Sequence, residues 1–242
     1  MSKLLKAEFY KLFHHKAFWG MLAFSLVLGS VLMLDGGVPD SAGSAFRSSL
    51  YNTPLLYFLP IIFCALFVGE EFENRGYQSY IAAGHGRGRI LLAKTVSYLT
   101  SSALMLVGPA ALHGLAGAAV FGAAGGPAAA GGNGAMPLAI VNGTVILAAV
   151  LAMGMLPLLC SFLFRDVGKS LAVPAAVFFL MIFVLNSGGA EEIALLLPMG
   201  QIRLLSLNQP GASGLPVIIV DIIWIAVLYA GAFLAFIRSD LK

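Results

Sequence analysis

Six apolar runs of membrane-spanning length mark the chain, at 17–34, 54–69, 90–121, 138–164, 170–187 and 215–237. A helix of roughly 20 apolar residues crosses a bilayer. The run at 54–69 is short and borrows flanking residues such as Leu50 and Tyr51, whereas 90–121 is longer than a bilayer needs. Proline removes a backbone donor and crowds the preceding turn, so Pro109, Pro157 and Pro174 predict kinks in the third, fourth and fifth runs. Ahead of the first run, residues 3–16 place Leu5, Phe9, Leu12 and Phe13 at helical spacing, with Lys6, Lys11, His14 and His15 mostly off that stripe. That pattern predicts an amphipathic helix lying on the membrane face, the bland alternative being a basic tail. The first run itself reads as an anchor rather than a cleaved signal, despite the small residues "SAGSA" at 41–45, because it is long enough to span.

The connections differ in kind. Residues 122–137, "GAAGGPAAAGGNGAMP", form an uncharged linker too glycine-rich to pack, and are expected to be mobile. The segment 188–214 contains "EEIALLLPMGQIRLLSL", which predicts short helices broken at Pro198–Met199–Gly200 and held against the spans. Composition agrees with this reading: 60% of the 242 residues are hydrophobic and 10% charged, too few polar groups to cover a soluble surface. Cys64 and Cys160 both fall inside apolar runs, so they form no disulfide framework or metal motif and read as small core residues. The expected fold class is an all-α integral membrane protein, one transmembrane domain over residues 1–242.

Charge sets the orientation. Twelve of the 14 basic residues fall on one side of the six-span arrangement, and Arg47 and Arg203 on the other. The positive-inside rule then makes both termini cytoplasmic. The net charge of +3 is a topology signal and implies no nucleic-acid partner.

The cytoplasmic connection at 70–89 gathers Glu70, Glu71, Glu73, Arg75, His85, Arg87 and Arg89. Glu70, Glu71 and Arg75 fit the Glu-Glu-x-x-x-Arg pattern of intramembrane metalloproteases, but neither His85 nor His113 begins the second motif such a site needs. This leaves a protease as a remote alternative, with no catalytic or metal-ligating residue assigned. "GHGRGR" at 84–89 lacks the spacing of a phosphate-cradling loop, and Gly84 and Gly86 read as a helix end and turn. Glu73, Tyr77, Tyr80 and Ile81 fall at helical spacing and predict a short amphipathic helix with two exposed tyrosines. Two readings stay open here: a docking surface for a partner, or an ordinary charged loop.

The stretch "FVGEEFENRGYQSYIAAGHGRGRILLAK" at 67–94, with the N-terminal "KAEFYKL" and the six-span pattern, resembles the ABC-2 type permeases, membrane subunits of ATP-driven bacterial exporters. Within that resemblance Glu71 matches the acidic residue leaving the second span, Gly76 the glycine that follows, Gly84 the small-residue turn, and Arg87 and Lys94 the basic residues leading into the third span. Tyr77 and Gly86 depart from the residues common there, threonine and serine. The resemblance implies a plasma-membrane protein that pairs with a second permease chain, identical or homologous, and with two copies of a separate ABC ATPase. ATP and magnesium would bind that ATPase, with no cofactor on this chain. It also implies that 70–89 is the coupling helix, through Glu70, Glu71, Glu73, Arg75, Tyr77, Tyr80, Ile81, Arg87 and Arg89, with a second contact at Arg165, Asp166 and Lys169.

Polar groups within or near the spans are few: His113, Asn142, Asn186 and Asp221 are the candidates for a substrate path. So apolar a path fits a hydrophobic or amphipathic substrate, such as a lipid-like molecule or, by analogy with bacitracin and lantibiotic immunity permeases, an antimicrobial peptide. An ion-coupled secondary transporter and a membrane scaffold are the rival classes.

Overall fold

The computed structural model describes residues 2–35, 39–121, 135–187, 191–209 and 211–238. They form helices without any strand: α1 (Ser2–His14), α2 (Lys16–Asp35), α3 (Ala42–Tyr51), α4 (Thr53–Leu56), α5 (Phe58–Cys64), a π-helical turn (Ala65–Gly69), α6 (Glu70–Glu73), α7 (Gly76–Ala82), α8 (Arg87–Phe121), α9 (Ala135–Phe164), α10 (Val167–Leu185), α11 (Glu191–Leu196), α12 (Pro198–Ser206) and α13 (Leu215–Ile237). Six segments are long and apolar enough to cross a membrane, α2, the α4–α6 segment, α8, α9, α10 and α13. The chain is a multi-pass membrane protein.

Burial ranks the spans. The α9 window is 72% buried and forms the centre, while α2 and α10 are each 17% buried and α13 22%, so those three form the periphery. Their outward residues are large and apolar, among them Phe24, Val27 and Val31 on α2, Phe179 and Phe183 on α10, and Ile219, Ile223 and Val227 on α13. Such surface is stable against lipid and costly against water.

The short second span is completed from both sides. Ser41 and Ser44 form a reciprocal capping box that starts α3, a helix that no apolar run announces. From there the chain descends antiparallel to α8. Ser49 meets His113, Thr53 donates to the Leu106 carbonyl at 3.5 Å, and Tyr98 donates to the Pro60 carbonyl at 3.1 Å. At the other end, the π-helical turn carries the segment on into α6.

Pro109, Pro157 and Pro174 all lie inside continuous helices. A helical proline leaves the carbonyl four residues earlier without its donor, a costly loss in an apolar medium. Two such carbonyls have found substitutes. Ser25 donates to the Met105 carbonyl, four residues before Pro109. Tyr57 donates to the Met153 carbonyl at 2.6 Å, four residues before Pro157. Neighbouring helices thus complete the ladders that the prolines interrupt.

After α10 the described residues include the short helices α11 and α12 expected from the sequence, although the break falls at Leu197 and Pro198 begins the second helix. Gly200 fits where nothing larger could: an added Cβ would lie 2.4 Å from the Ala194 carbonyl oxygen. Arg203 donates to the Leu185 carbonyl at 2.9 Å and to Asn186 Oδ1 at 3.0 Å, closing the C-terminus of α10. Of the linker at 122–137, residues 122–134 lie outside the described residues.

Candidate functional site

Alternation of the spans returns α1, the 70–89 connection, the 165–169 turn and the end of α13 to one end of the bundle, the basic end. Arg87 Nη1 donates to the Ile237 carbonyl at 2.6 Å and to the Phe236 carbonyl at 3.2 Å, fastening the start of α8 to the end of α13.

α1 meets this end with a face that takes in Leu12, and partly Leu5 and Phe9, of the predicted apolar stripe but is centred on Glu8. Leu4, Glu8 and Leu12 are its buried residues, one turn apart each, while Phe13 is 45% exposed. The helix therefore packs on the bundle through α8. The reason is Glu8, 1% exposed, whose Oε2 lies 2.6 Å from the Nζ of Lys94, itself 0% exposed. Lys94 Nζ also lies 2.9 Å from Glu71 Oε1, and the same oxygen is 3.0 Å from Lys11 Nζ. Tyr80 donates to Glu8 Oε1 at 2.6 Å and accepts a hydrogen bond from Lys11. Lys94 further stands 4.1 Å from the Phe67 ring centroid, against its electron-rich face.

Two carboxylates and two ammonium groups cancel in formal charge, so the cluster can sit where a lone charge would be prohibitive. It joins α1, α6, α7 and α8. Burial opposes the charge on Lys11, but its hydrogen bond to Tyr80 and the Glu71 carboxylate outweigh this and raise its pKa. Burial, with the Glu8 hydrogen bond, pushes the Tyr80 phenol up to about 12.

Of the residues expected at an exposed docking helix, Tyr77 is placed otherwise. It is 1% exposed, enclosed by Phe72, Phe162 and Phe236, and its hydroxyl donates to the Val68 carbonyl at 3.4 Å. Burial raises its pKa well above the ordinary phenol value. Tyr80 and Ile81 are partly buried against the same core. The helical spacing is right, but its apolar stripe points into the bundle, because Phe162 and Phe236 arrive there from distant sequence. The polar residues that α7 and its flanks leave in solvent include Asn74, Arg75, Ser79 and Arg89, beside the small Ala82 and Ala83.

The turns obey local rules. Gly84, at φ +82°, ends α7 with hydrogen bonds from Gly84 N to Ile81 O at 2.9 Å and from His85 N to Tyr80 O at 3.1 Å, a Schellman arrangement. Gly86 has no such duty. Arg75 and Arg165 take the left-handed conformation, at φ 55° and 54°. Asp166 caps α10 by accepting from Lys169 N at 2.8 Å, and Glu73 Oε1 accepts from Val167 N at 2.9 Å. The two connections are thus tied together through one helix N-terminus, where carboxylates are favoured. Lys169 is exposed and Arg165 partly buried.

The four candidates for a substrate path each have their own surroundings. His113 is held on both ring nitrogens, by Ser30 at 2.9 Å and Ser49 at 2.9 Å. Since Ser30 donates to the Leu26 carbonyl at 2.8 Å, it accepts from His113 Nε2–H, and Ser49 donates to Nδ1. His113 is a tie between α2, α3 and α8. Asn186 serves the end of α10. Asn142 Oδ1 is buried without a hydrogen-bond partner among the described residues. Asp221 is 0% exposed on α13; the Gln201 amide approaches it, yet neither carboxylate oxygen makes a well-formed hydrogen bond among the described residues.

Among the described residues, no group of three His, Cys, Asp or Glu side chains stands close enough to hold a metal ion. Glu71, which a metalloprotease would need free, is engaged by two ammonium groups. No family model matches the chain, and no curated protein matches it.

Proposed function

We propose that this chain is the permease subunit of an ATP-driven exporter of the ABC-2 kind. Two permease chains would pair in a bacterial plasma membrane, with both termini cytoplasmic and a separate ATPase beneath each chain. The observation that carries the reading is the anchoring of the 70–89 connection. Glu71 and Tyr80 tie it to α1 and α8, Glu73 ties it to the start of α10, and Tyr77 seats it on α9 and α13. A force applied there by ATPase closure is delivered to several spans at once, which is what coupling nucleotide to substrate requires. The substrate would be hydrophobic or amphipathic, in keeping with the scarcity of polar groups along the spans.

Docking falls to the exposed residues rather than to the tyrosines. The double variant Arg75→Glu, Arg89→Glu should reduce an ATPase co-purified from native membranes by about tenfold, leaving helix content and melting temperature unchanged. Reversing two interface charges makes two contacts repulsive. Recovery of the chain alone, with no ATPase partner under any mild extraction, would refute the proposal.

A second reading, an ion-coupled carrier, rests on Asp221, a buried intramembrane carboxyl with no opposite charge within 4 Å among the described residues. Substrate uptake or efflux driven by an ion gradient in ATP-free vesicles, and lost in Asp221→Asn, would favour it.

A further inference from the structure

Between the α1–α2 junction and the lower part of the second span lies an open cavity of about 360 Å³. Its apolar wall is Leu66 and Phe67, and its polar lining comes from Lys11, His14, His15, Glu70, Glu71 and Asn74. Two of these residues also carry a buried polar atom without a hydrogen-bond partner among the described residues, His15 Nδ1 and Glu71 Oε2. We infer that this cavity binds the headgroup of a phospholipid bearing a primary ammonium, as in phosphatidylethanolamine.

The charges select that headgroup. Glu8 and Glu71 are balanced by Lys11 and Lys94, so the carboxylate left unbalanced in the lining is Glu70, which is exposed and forms no ion pair among the described residues. A purely anionic headgroup would meet two carboxylates. A zwitterion instead gives its ammonium to the Glu70 and Glu71 carboxylates, and its phosphate to donors from His15, Asn74 and the Lys11 side. A primary ammonium supplies N–H donors to the carboxylates, which a trimethylated one cannot do.

The surroundings make the occupant a membrane lipid rather than a soluble molecule. Tyr10, Phe13 and Trp19 are 65%, 45% and 54% exposed around the same junction, and the Trp19 indole donates to the Phe13 carbonyl at 2.8 Å. Exposed tyrosine and tryptophan beside a spanning helix mark headgroup depth. Leu66 and Phe67 belong to the second spanning segment, so the glycerol end of the lipid would meet apolar surface.

The test is native mass spectrometry of the full-length, delipidated chain after exposure to vesicles of equal phosphatidylethanolamine, phosphatidylcholine and phosphatidylglycerol. The wild type should retain phosphatidylethanolamine over each of the others by roughly fivefold, the scale of a few charge-assisted hydrogen bonds at a half-exposed site. Glu70→Gln and Asn74→Ala change exposed residues outside the ion cluster, so both should fold; Glu70→Gln should bring the preference toward parity, whereas Asn74→Ala, which loses a phosphate donor, should lower retention of all three lipids alike. Equal retention of the ethanolamine and choline lipids, a preference for the anionic lipid, or an unchanged preference in Glu70→Gln would overturn the inference. So would displacement of the lipid by an equal concentration of soluble glycerophosphoethanolamine, which would make the cavity a site for a free metabolite.

Discussion

Replacing Lys94 by methionine removes the one ammonium that touches both Glu8 and Glu71, at 2.6 and 2.9 Å, while keeping a side chain of similar length. Removing one partner of a buried ion pair costs about 3–5 kcal/mol, chiefly because the other charge is left without compensation. Here the two carboxylates keep some support: Glu71 retains Lys11 at 3.0 Å, and Glu8 retains the Tyr80 hydroxyl at 2.6 Å. The loss should therefore fall near the lower limit, about 3 kcal/mol. It should act mainly on α1, whose other buried anchors are Leu4 and Leu12. Opening of α1 becomes more frequent by roughly a hundredfold at that cost, and amide exchange over 2–14 should accelerate accordingly. Exchange in the centre of α9 should not change. Adding Glu8→Gln to Lys94→Met removes the stranded charge and should restore a large part of the protection, giving a coupling of about 2 kcal/mol in a double-mutant cycle. Unaltered protection of α1 in Lys94→Met, or additive losses in the double variant, would refute the claim that this ion cluster holds the helix.

Two tyrosines should respond in opposite ways to loss of the hydroxyl. Tyr57→Phe strips the Met153 carbonyl of its substitute donor and should cost about 1–3 kcal/mol, read as a lower melting temperature in detergent. Tyr77→Phe should be nearly neutral because its hydrogen bond is 3.4 Å long, whereas Tyr77→Ala, which empties a fully enclosed aromatic site, should cost about 3–5 kcal/mol. The latch of α1 should also loosen in alkali. Tyr80 titrates near 12 in the folded chain against 10.0 for an unperturbed tyrosine, so the folded state binds more protons in that window and stability falls as pH rises through it. Lys11, also raised, contributes in the same direction. Exchange over 2–14 should be independent of pH below 10, after correction for intrinsic rates, and should increase above it. Tyr80→Phe should remove the phenol's share of that increase, and an identical profile in the variant would count against it.

The hydropathy pattern by itself determined that the chain is helical, that six segments suit a membrane and roughly where each begins, because lipid demands long apolar runs and internally satisfied backbones. It also determined the glycine turn at Gly84 and the short helices on either side of Leu197, both local matters of backbone freedom and surface. Tertiary structure alone decided the rest. No window of sequence contains Phe162 and Phe236 alongside Tyr77, so a helix that looks amphipathic toward solvent turns its aromatic stripe inward. Ser25 and Tyr57 could not be read as donors for proline-freed carbonyls 80 and 96 residues away. Glu8, Glu71 and Lys94 each look like ordinary interface charges in their own segments. Only the return of α1 to the start of α8 brings them within ion-pair distance, because a buried charge is tolerable only where folding delivers its opposite.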